Sequence, residues 1–429
     1  MEVLNQSAFH VGMRCPRRLW FALREGQRHN GHPAAVAKRQ EVMEAVRGNY
    51  PEARFRVSAE HRGVRVVADL LDGSTLLKVQ AGTRLRHRHW RDLALKTWVL
   101  RGAGVPVERT GILHLDRRHR SGTDEPPLFK ISWRELNPDL SVERERLLAI
   151  QEASERPAAE LGARCRVPRP CPWWSRCHEP ERPDDIRRVP GCASLADRLE
   201  TEGLRSVHQL PEGLRLNAQQ QRAIRCLSAD VDELDPALAE HLPSPERVHY
   251  LDFEAWNPAL PRFPGTQPYE TLPVQWSLHT HRGGEVWGHQ EWLQSGSEDP
   301  RPGFTDTLRQ VLEGDDWPIV VWSPFEGRVL RRLGLPAAAD RLVDLQALLG
   351  RFYYHPGFGP ALSLKRVLSV MCPGEGYADL QVQDGGAATV MLQRLMEGEE
   401  DLRPALLEYC ARDTWATAQV HRALLARCG

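Results

Sequence analysis

Val248-His249-Tyr250-Leu251-Asp252-Phe253-Glu254 is a nearly continuous apolar run that carries two carboxylates two residues apart and follows a loop punctuated by Pro243 and Pro245. So short an apolar run, bounded by prolines, reads as a buried β-strand. Side chains alternate along a strand, so Asp252 and Glu254 leave the same face of the sheet. Two like charges held side by side away from water resist ionisation unless a cation sits between them. The stretch is therefore either a polar strand end or one half of a divalent-metal site. More acids follow. A strand runs into a helix at Pro318-Ile319-Val320-Val321-Trp322-Ser323-Pro324-Phe325-Glu326, and a late helix carries Tyr409-Cys410-Ala411-Arg412-Asp413. On that helix Tyr409 and Asp413 are four apart and share a face.

A strand Asp-x-Glu, a Phe-acid pair opening a helix and a helical Tyr-x-x-x-Asp resemble the DnaQ-like (DEDD) exonucleases of the ribonuclease H-like fold. The likeness is to the tyrosine variant, because Glu408 stands where the histidine variant has its histidine. The resemblance implies two Mg²⁺ or Mn²⁺ ions, with Asp252 bridging both, Glu254 and Asp413 on the water-side ion, Glu326 helping to hold the second, and Tyr409 orienting the nucleophile. In-line attack of water on a phosphodiester suits two ions roughly 4 Å apart, and hard cations take carboxylate oxygens. Glu326 departs from the family, which usually has Asp there. Val343-Asp344-Leu345 and residues 362–368 look like the segments that follow the family's second motif. Lys365, within the latter, is an expected nucleic-acid contact, and Asp344 reads as a helix start.

The chain has 429 residues, enough for two or three domains, and its 57 Lys+Arg balance 57 Asp+Glu. The balance is uneven along the chain: residues 1–182 hold 33 Lys+Arg against 22 Asp+Glu, and residues 183–429 hold 24 against 35. A basic half beside an acidic half suggests polyanion binding by the first and chemistry by the second. No apolar run approaches the roughly 20 residues of a membrane span, and the start lacks a signal pattern, so the expected compartment is the cytoplasm with no membrane partner. An odd nine cysteines in such a chain argue against a disulfide framework and towards metal or cluster ligation where they group.

They do group. Cys15 lies early, and Cys165, Cys171 and Cys177 fall within 13 residues, with Pro172, Trp173 and Trp174 between the last two. One early and three late cysteines resemble the iron–sulfur RecB-like (PD-(D/E)XK) nucleases, a restriction-endonuclease-type α/β fold, and imply a [4Fe–4S] cluster on these four thiolates. Structural Zn²⁺ is the rival, although its usual two-to-four-residue cysteine spacing is missing. Between the cysteines, Val64–Leu71 reads as a strand bearing Asp69, and Thr75–Thr83 as the next. That family has Glu-Val-Lys on the second strand, where this chain has Lys78-Val79-Gln80. An ammonium and an amide in those places imply a dead nuclease site with Asp69 as its only obvious metal ligand. Lys78 together with Arg84, Arg86, Arg88 and Arg91 would make the remaining cleft a nucleic-acid clamp. The helix from Trp90 to Leu100 has core spacing.

Residues 183–246 read as a small helical linker. Its charged, proline-bearing start runs from Pro183 to Pro190, and residues 195–210 resemble a helix–hairpin–helix half turning at Gly203. Cys192 and Cys226 have no ligand-like neighbours. In residues 247–429, strands are expected at Val274–His279 and Glu285–His289, and a helix near Gly303 to Leu312. Phe352-Tyr353-Tyr354-His355-Pro356-Gly357 is either an aromatic loop for stacking bases or simple loop packing. His249, His279 and His281 lack clustered partners and read as solvent-facing or satisfied.

The reading is thus a multi-domain α/β protein: a RecB-like domain at 1–182, a linker at 183–246 and a DnaQ-like domain at 247–429. Its expected activity is metal-dependent 3′→5′ exonuclease action on single-stranded or frayed nucleic acid, DNA more than RNA. The alternative is a non-catalytic nucleic-acid-binding scaffold or adaptor in a repair or defence complex.

Overall fold

The structure, a computed structural model, describes residues 3–26, 33–123, 126–167 and 169–429. It is a mixed α/β protein with open sheets, and it divides into two compact units: Met1–Glu179 with Asn257–Glu270, and Pro180–Trp256 with Thr271–Gly429. Among the described residues no helix is long and apolar enough to cross a membrane.

The first unit is built on strands β1 (Leu4–Asn5), β2 (Arg54–His61), β3 (Val64–Asp72), β4 (Thr75–Gln80), β5 (Arg109–Leu115) and β6 (Phe129–Trp133). They run in the order β1-β3-β4-β5-β6, with β2 also paired to β3. The β2–β3 hairpin turns on Arg62 and Gly63, both at positive φ (48° and 73°), the conformation that lets a two-residue turn follow the twist of its strands. Helix His87–Gly102 covers one face of the sheet, where Leu93 and Leu100 pack on Ala68, Leu71, Leu76 and Ile112. Helix Pro33–Asn49 covers the other through Val42 and Val46 against Leu70, Leu77 and Leu113. The insertion from the second half of the sequence joins this core with Ala259.

At the centre of this unit lies a buried ion network. Asp69 on β3 takes Lys96 Nζ at 3.0 Å, Arg39 at 3.0 Å and the Val79 amide at 3.2 Å. Asp92, one helical turn before Lys96, takes Lys96 at 3.1 Å, His10 at 2.7 Å, Gln6 at 2.6 Å and Lys78. Lys96 is 1% exposed. Asp69, read from sequence as the one metal ligand left, is thus already neutralised by cations of the protein. Lys78, read as a nucleic-acid contact, is likewise committed: it is buried and its ammonium faces Asp92.

The second unit holds β7 (Glu233–Leu234), β8 (Arg247–Trp256), β9 (Leu272–Arg282), β10 (Glu285–Leu293), β11 (Ile319–Val321), β12 (Leu342–Asp344) and β13 (Tyr353–Tyr354). Its main sheet runs β10-β9-β8-β11-β12, with β8, β9 and β10 antiparallel neighbours and β11 and β12 parallel to β8. Along β8 the side chains alternate. Leu251 and Phe253 enter the core beneath helix Pro300–Leu312, with Phe304 and Leu308. Tyr250, Asp252 and Glu254 leave the opposite face, where helix Arg403–Cys428 lies: Tyr250 Oη sits 2.9 Å from His421 Nδ1, and Gln275 donates to the Leu406 carbonyl at 2.8 Å.

Residues 183–246 are packed into this unit instead of spanning a gap. Ile186 and Val189, inside the stretch read as a linker, are 1% exposed and share a core with helices Ala193–Thr201 and Ala218–Ala229 and with Tyr354. Gly203 does turn the chain, at φ 79°, but the next element is a short 3₁₀ turn, Val207–Gln209, and not the second helix of a hairpin. The aromatic run 352–357 supplies β13, which pairs with β7. Tyr353 and Tyr354 are buried, their hydroxyls bonded to Asp232 at 2.9 Å and the Arg188 carbonyl at 3.1 Å, so they offer no face to a base.

Replacing Lys96 by Met leaves Asp69 and Asp92 buried with one cation fewer. The expected cost is about 3–5 kcal/mol of unfolding free energy, because a buried charge loses its partner. Urea denaturation measures it, and an unchanged midpoint would show that the network does not support the fold.

Candidate metal centre

Three elements of the second unit converge. The strand β8 presents Asp252 and Glu254 on one face, helix Arg403–Cys428 presents Asp413 towards them, and ligand oxygens of all three lie within 4.8 Å of one another. Glu326, 3% exposed, stands in the first turn of helix Phe325–Arg332, where Ser323 Oγ donates to it at 3.2 Å. Its charge adds to the repulsion at Asp252. Among the described residues none of these four carboxylates has an Arg or Lys ion-pair partner.

The electrostatics follow from that lack. Burial raises the Asp252 carboxyl well above the usual range, and repulsion from Asp413, Glu326 and Glu254 adds to it. Burial, then Asp413, pushes Glu254 up to about 8, against a partial pull from Lys365. Burial pushes Glu326 up to about 7. Asp413 is raised by burial and held back by hydrogen bonds from two tyrosines and by Lys365. Carboxylates close together and lacking a protein cation form the donor set that a hard divalent ion takes.

All five residues read from sequence as the second unit's catalytic set therefore occupy one region, with Tyr409 one helical turn before Asp413, where burial and then the carboxylate raise the pKa of its hydroxyl. Three further residues were not found in the sequence. Tyr377 donates to Asp413 Oδ1 at 2.5 Å. Cys410 is buried with its thiol 3.5 Å from Asp252 Oδ2. Ser323 bonds Glu326. Tyr377 lies in an irregular Gly- and Pro-bearing segment with no periodicity to betray it, whereas Cys410 and Ser323 sit beside residues already singled out. Lys365 places its ammonium 4.3 Å from the Tyr377 ring centroid and 4.8 Å from that of Tyr409, and donates to the Gln383 carbonyl. Asp344 caps helix Leu345–Phe352 by accepting from the Ala347 amide at 2.9 Å. His249 is satisfied by Thr280 and Asp315.

In the first unit Cys15, Cys165, Cys171 and Cys177 line one small cavity together with Phe21, Trp173 and Trp174. No three of their sulfurs lie within 4.8 Å of one another among the described residues. The Cys165 thiol is raised by burial and by the other three cysteines. Arg86, Arg88 and Arg91 are exposed on the rim of a separate cleft that Lys78 also borders; Arg84 is outside its lining.

Residues 249–363 match a family described as a domain of unknown function, DUF2779. The matched span takes in Asp252, Glu254 and Glu326 and stops short of Lys365, Tyr409 and Asp413. No curated protein matches the chain.

An acid that ionises later in the folded chain than in the unfolded one leaves the folded chain holding more protons between the two values, so stability falls as pH rises through that interval. With Glu254 at about 8 and Glu326 at about 7, the metal-free protein should lose thermal stability from about pH 4.5 to about pH 8. Mn²⁺ binding requires the ionised carboxylates, so the rise in Tm it causes should be larger near pH 8 than near pH 5.5. A Tm shift independent of pH would contradict this electrostatic account.

Proposed function

We propose that the second unit is a metal-dependent nuclease, a 3′→5′ exonuclease acting on single-stranded or frayed nucleic acid, DNA more than RNA. The observation that carries this reading is the convergence of Asp252, Glu254 and Asp413 without a neutralising cation, with Tyr409 one turn before Asp413. The strands stand in the order third-second-first-fourth-fifth, with only the second antiparallel to the rest, so the first, which carries Asp252 and Glu254, is central.

Asp252, Glu254 and Asp413 would hold the metals, with Glu326 completing the set. Bound Mg²⁺ or Mn²⁺ would supply a water acidified for attack and charge to offset that of the phosphoryl group. The chain's own groups fix the donors. Tyr377 hydrogen-bonds Asp413 and holds its carboxylate in one orientation, with Tyr409 beside it on the helix. Cys410 does the same for Asp252, and Ser323 for Glu326. Lys365, poised over the two tyrosine rings, brings positive charge towards an incoming phosphate.

For the first unit the reading is a non-catalytic clamp stapled by a group on Cys15, Cys165, Cys171 and Cys177. All four thiols line one small cavity with Phe21, Trp173 and Trp174, which brings residues 15 and 165–177 to one place. One early and three late cysteines without the close spacing in sequence of a zinc site are what support the [4Fe–4S] cluster over zinc. A group tying residue 15 to residues 165–177 closes a long loop and so stabilises the unit. The scaffold alternative has support here, in the lysines that neutralise Asp69 and Asp92.

Asp252→Ala is expected to slow Mn²⁺-dependent degradation of 3′-labelled oligonucleotides by at least about a thousandfold, and Tyr409→Phe by less. Parent-like degradation by Asp252→Ala would place the chemistry elsewhere or remove it. Cys171→Ser is expected to yield colourless, poorly soluble protein where the anaerobically purified parent holds iron and sulfide. A parent that holds zinc and no iron would decide for the rival metal.

A further inference from the structure

The first unit's ion network borders a cleft of about 710 Å³, a size typical of ligand sites, whose walls carry Arg14, Lys78, Arg86, Arg88, Arg91 and Arg164. Its single carboxylate is Asp92. That charge is already spent, because Asp92 is met by Lys78, Lys96, His10 and Gln6. The rim is thus left positive. Arg86, Arg88 and Arg91 are exposed, and none has a carboxylate partner among the described residues. Arg88 is destabilised as a cation by partial burial and then by Arg86 and Arg169, the sign of cations crowded without an anion.

Two features define what would relieve that crowding. Arginine forks match phosphate oxygens and bind them bidentately. Among the described residues no Phe, Tyr or Trp lines the cleft, and its two imidazoles are occupied or covered, His10 bonded to Asp92 and His89 buried, so stacking on bases has little to offer there. A metal has no place beside it, because Asp69 and Asp92 direct their oxygens at Lys96, Lys78, Arg39 and His10. A divalent ion would have to displace two ammoniums.

We propose that this cleft binds the sugar–phosphate backbone of a nucleic-acid strand through Arg86, Arg88 and Arg91, without a divalent ion and without reading the bases. It rests on the reading of the first unit as a clamp and gives that clamp its site and its chemistry: the ammoniums of Lys78 and Lys96 take up the carboxylates that a metal would otherwise occupy, and the arginines above them take the phosphates.

The test is fluorescence anisotropy of labelled oligothymidylate and of a mixed-sequence oligonucleotide of equal length with the full-length protein in EDTA, over about 50 to 300 mM KCl. The parent should bind both alike, with affinity falling steeply as salt rises. The Arg86→Ala/Arg88→Ala/Arg91→Ala variant should lose at least about tenfold in affinity at low salt and about 2 units of log–log slope, at roughly 0.7 per phosphate contact. An Arg24→Ala/Arg54→Ala/Arg109→Ala variant, which removes equal charge from exposed sites outside the cleft, should bind like the parent. The proposal is overturned if the first variant keeps its affinity and slope, if the second loses as much as the first, or if binding needs Mn²⁺. EDTA keeps the outcome independent of cleavage. Failure of the parent to cut with Mn²⁺ defeats the nuclease reading alone, a parent that binds neither oligonucleotide in EDTA defeats the clamp reading, and a first variant that keeps the parent's affinity defeats only the assignment to this cleft.

Discussion

Clustered carboxylates away from water need a cation, and each unit of this protein answers that need differently. In the first unit Lys78 and Lys96 come from neighbouring elements, and Arg39 from a third, so Asp69 and Asp92 are neutralised by the fold itself. In the second unit Asp252, Glu254, Glu326 and Asp413 have no such partner among the described residues, and the cluster is left with protons that are hard to remove. A self-neutralised network gives rigidity and excludes a metal. An unneutralised one keeps its acids protonated at pH values where ordinary carboxyls ionise, and such shifted groups are a common mark of a functional site.

The second unit supports its cluster with rigid elements. The strand β8 is central in the sheet, paired on both sides and fixed below by Phe253 against Phe304. Above it, helix Arg403–Cys428 is tied down at three levels: the Leu406 carbonyl to Gln275, Thr414 to Ser277 at 3.0 Å, and His421 to Tyr250. Asp413 is flanked along the helix by these ties, so its distance from Asp252 is set by packing and not by loop conformation. The Tyr377 hydroxyl then limits its side-chain rotation. Positions held in this way from several sides are what chemistry with metals at close quarters needs.

The first unit spends its buried acids on its own cations. With Lys78 and Lys96 against them, Asp69 and Asp92 act as partners within the fold. The arginines of the adjacent rim are not consumed by that network, which leaves them for an external anion. The cysteine-lined cavity belongs to the same unit, and Arg14, immediately before Cys15, donates to the Arg164 and Val167 carbonyls at 2.6 and 2.7 Å. The segment that carries three of the cysteines is thereby tied to a cleft wall.

Local periodicity decided much of this. The run from Val248 to Glu254 is legible as a strand because apolar residues alternate with acids that share a face, and Tyr409 and Asp413 are legible as neighbours because helical spacing puts them one turn apart. The placement of Glu326 at a helix start follows from the strand-to-helix junction before it. Local pattern carries no information on partners distant in sequence. Tyr377 meets Asp413 from 36 residues away, and Lys96 meets Asp69 from 27 residues away, through contacts that exist only once sheets and helices have packed. For the same reason Lys78, whose sequence neighbourhood is basic, turned out to be paired, the aromatic run 352–357 turned out to be core, and the charged stretch 183–190 turned out to hold two buried anchors. Residue type and spacing determined which side chains share a face. Which charges remain without a partner was decided only by the tertiary structure, because neutralisation depends on distances of a few ångströms between elements that the sequence keeps apart.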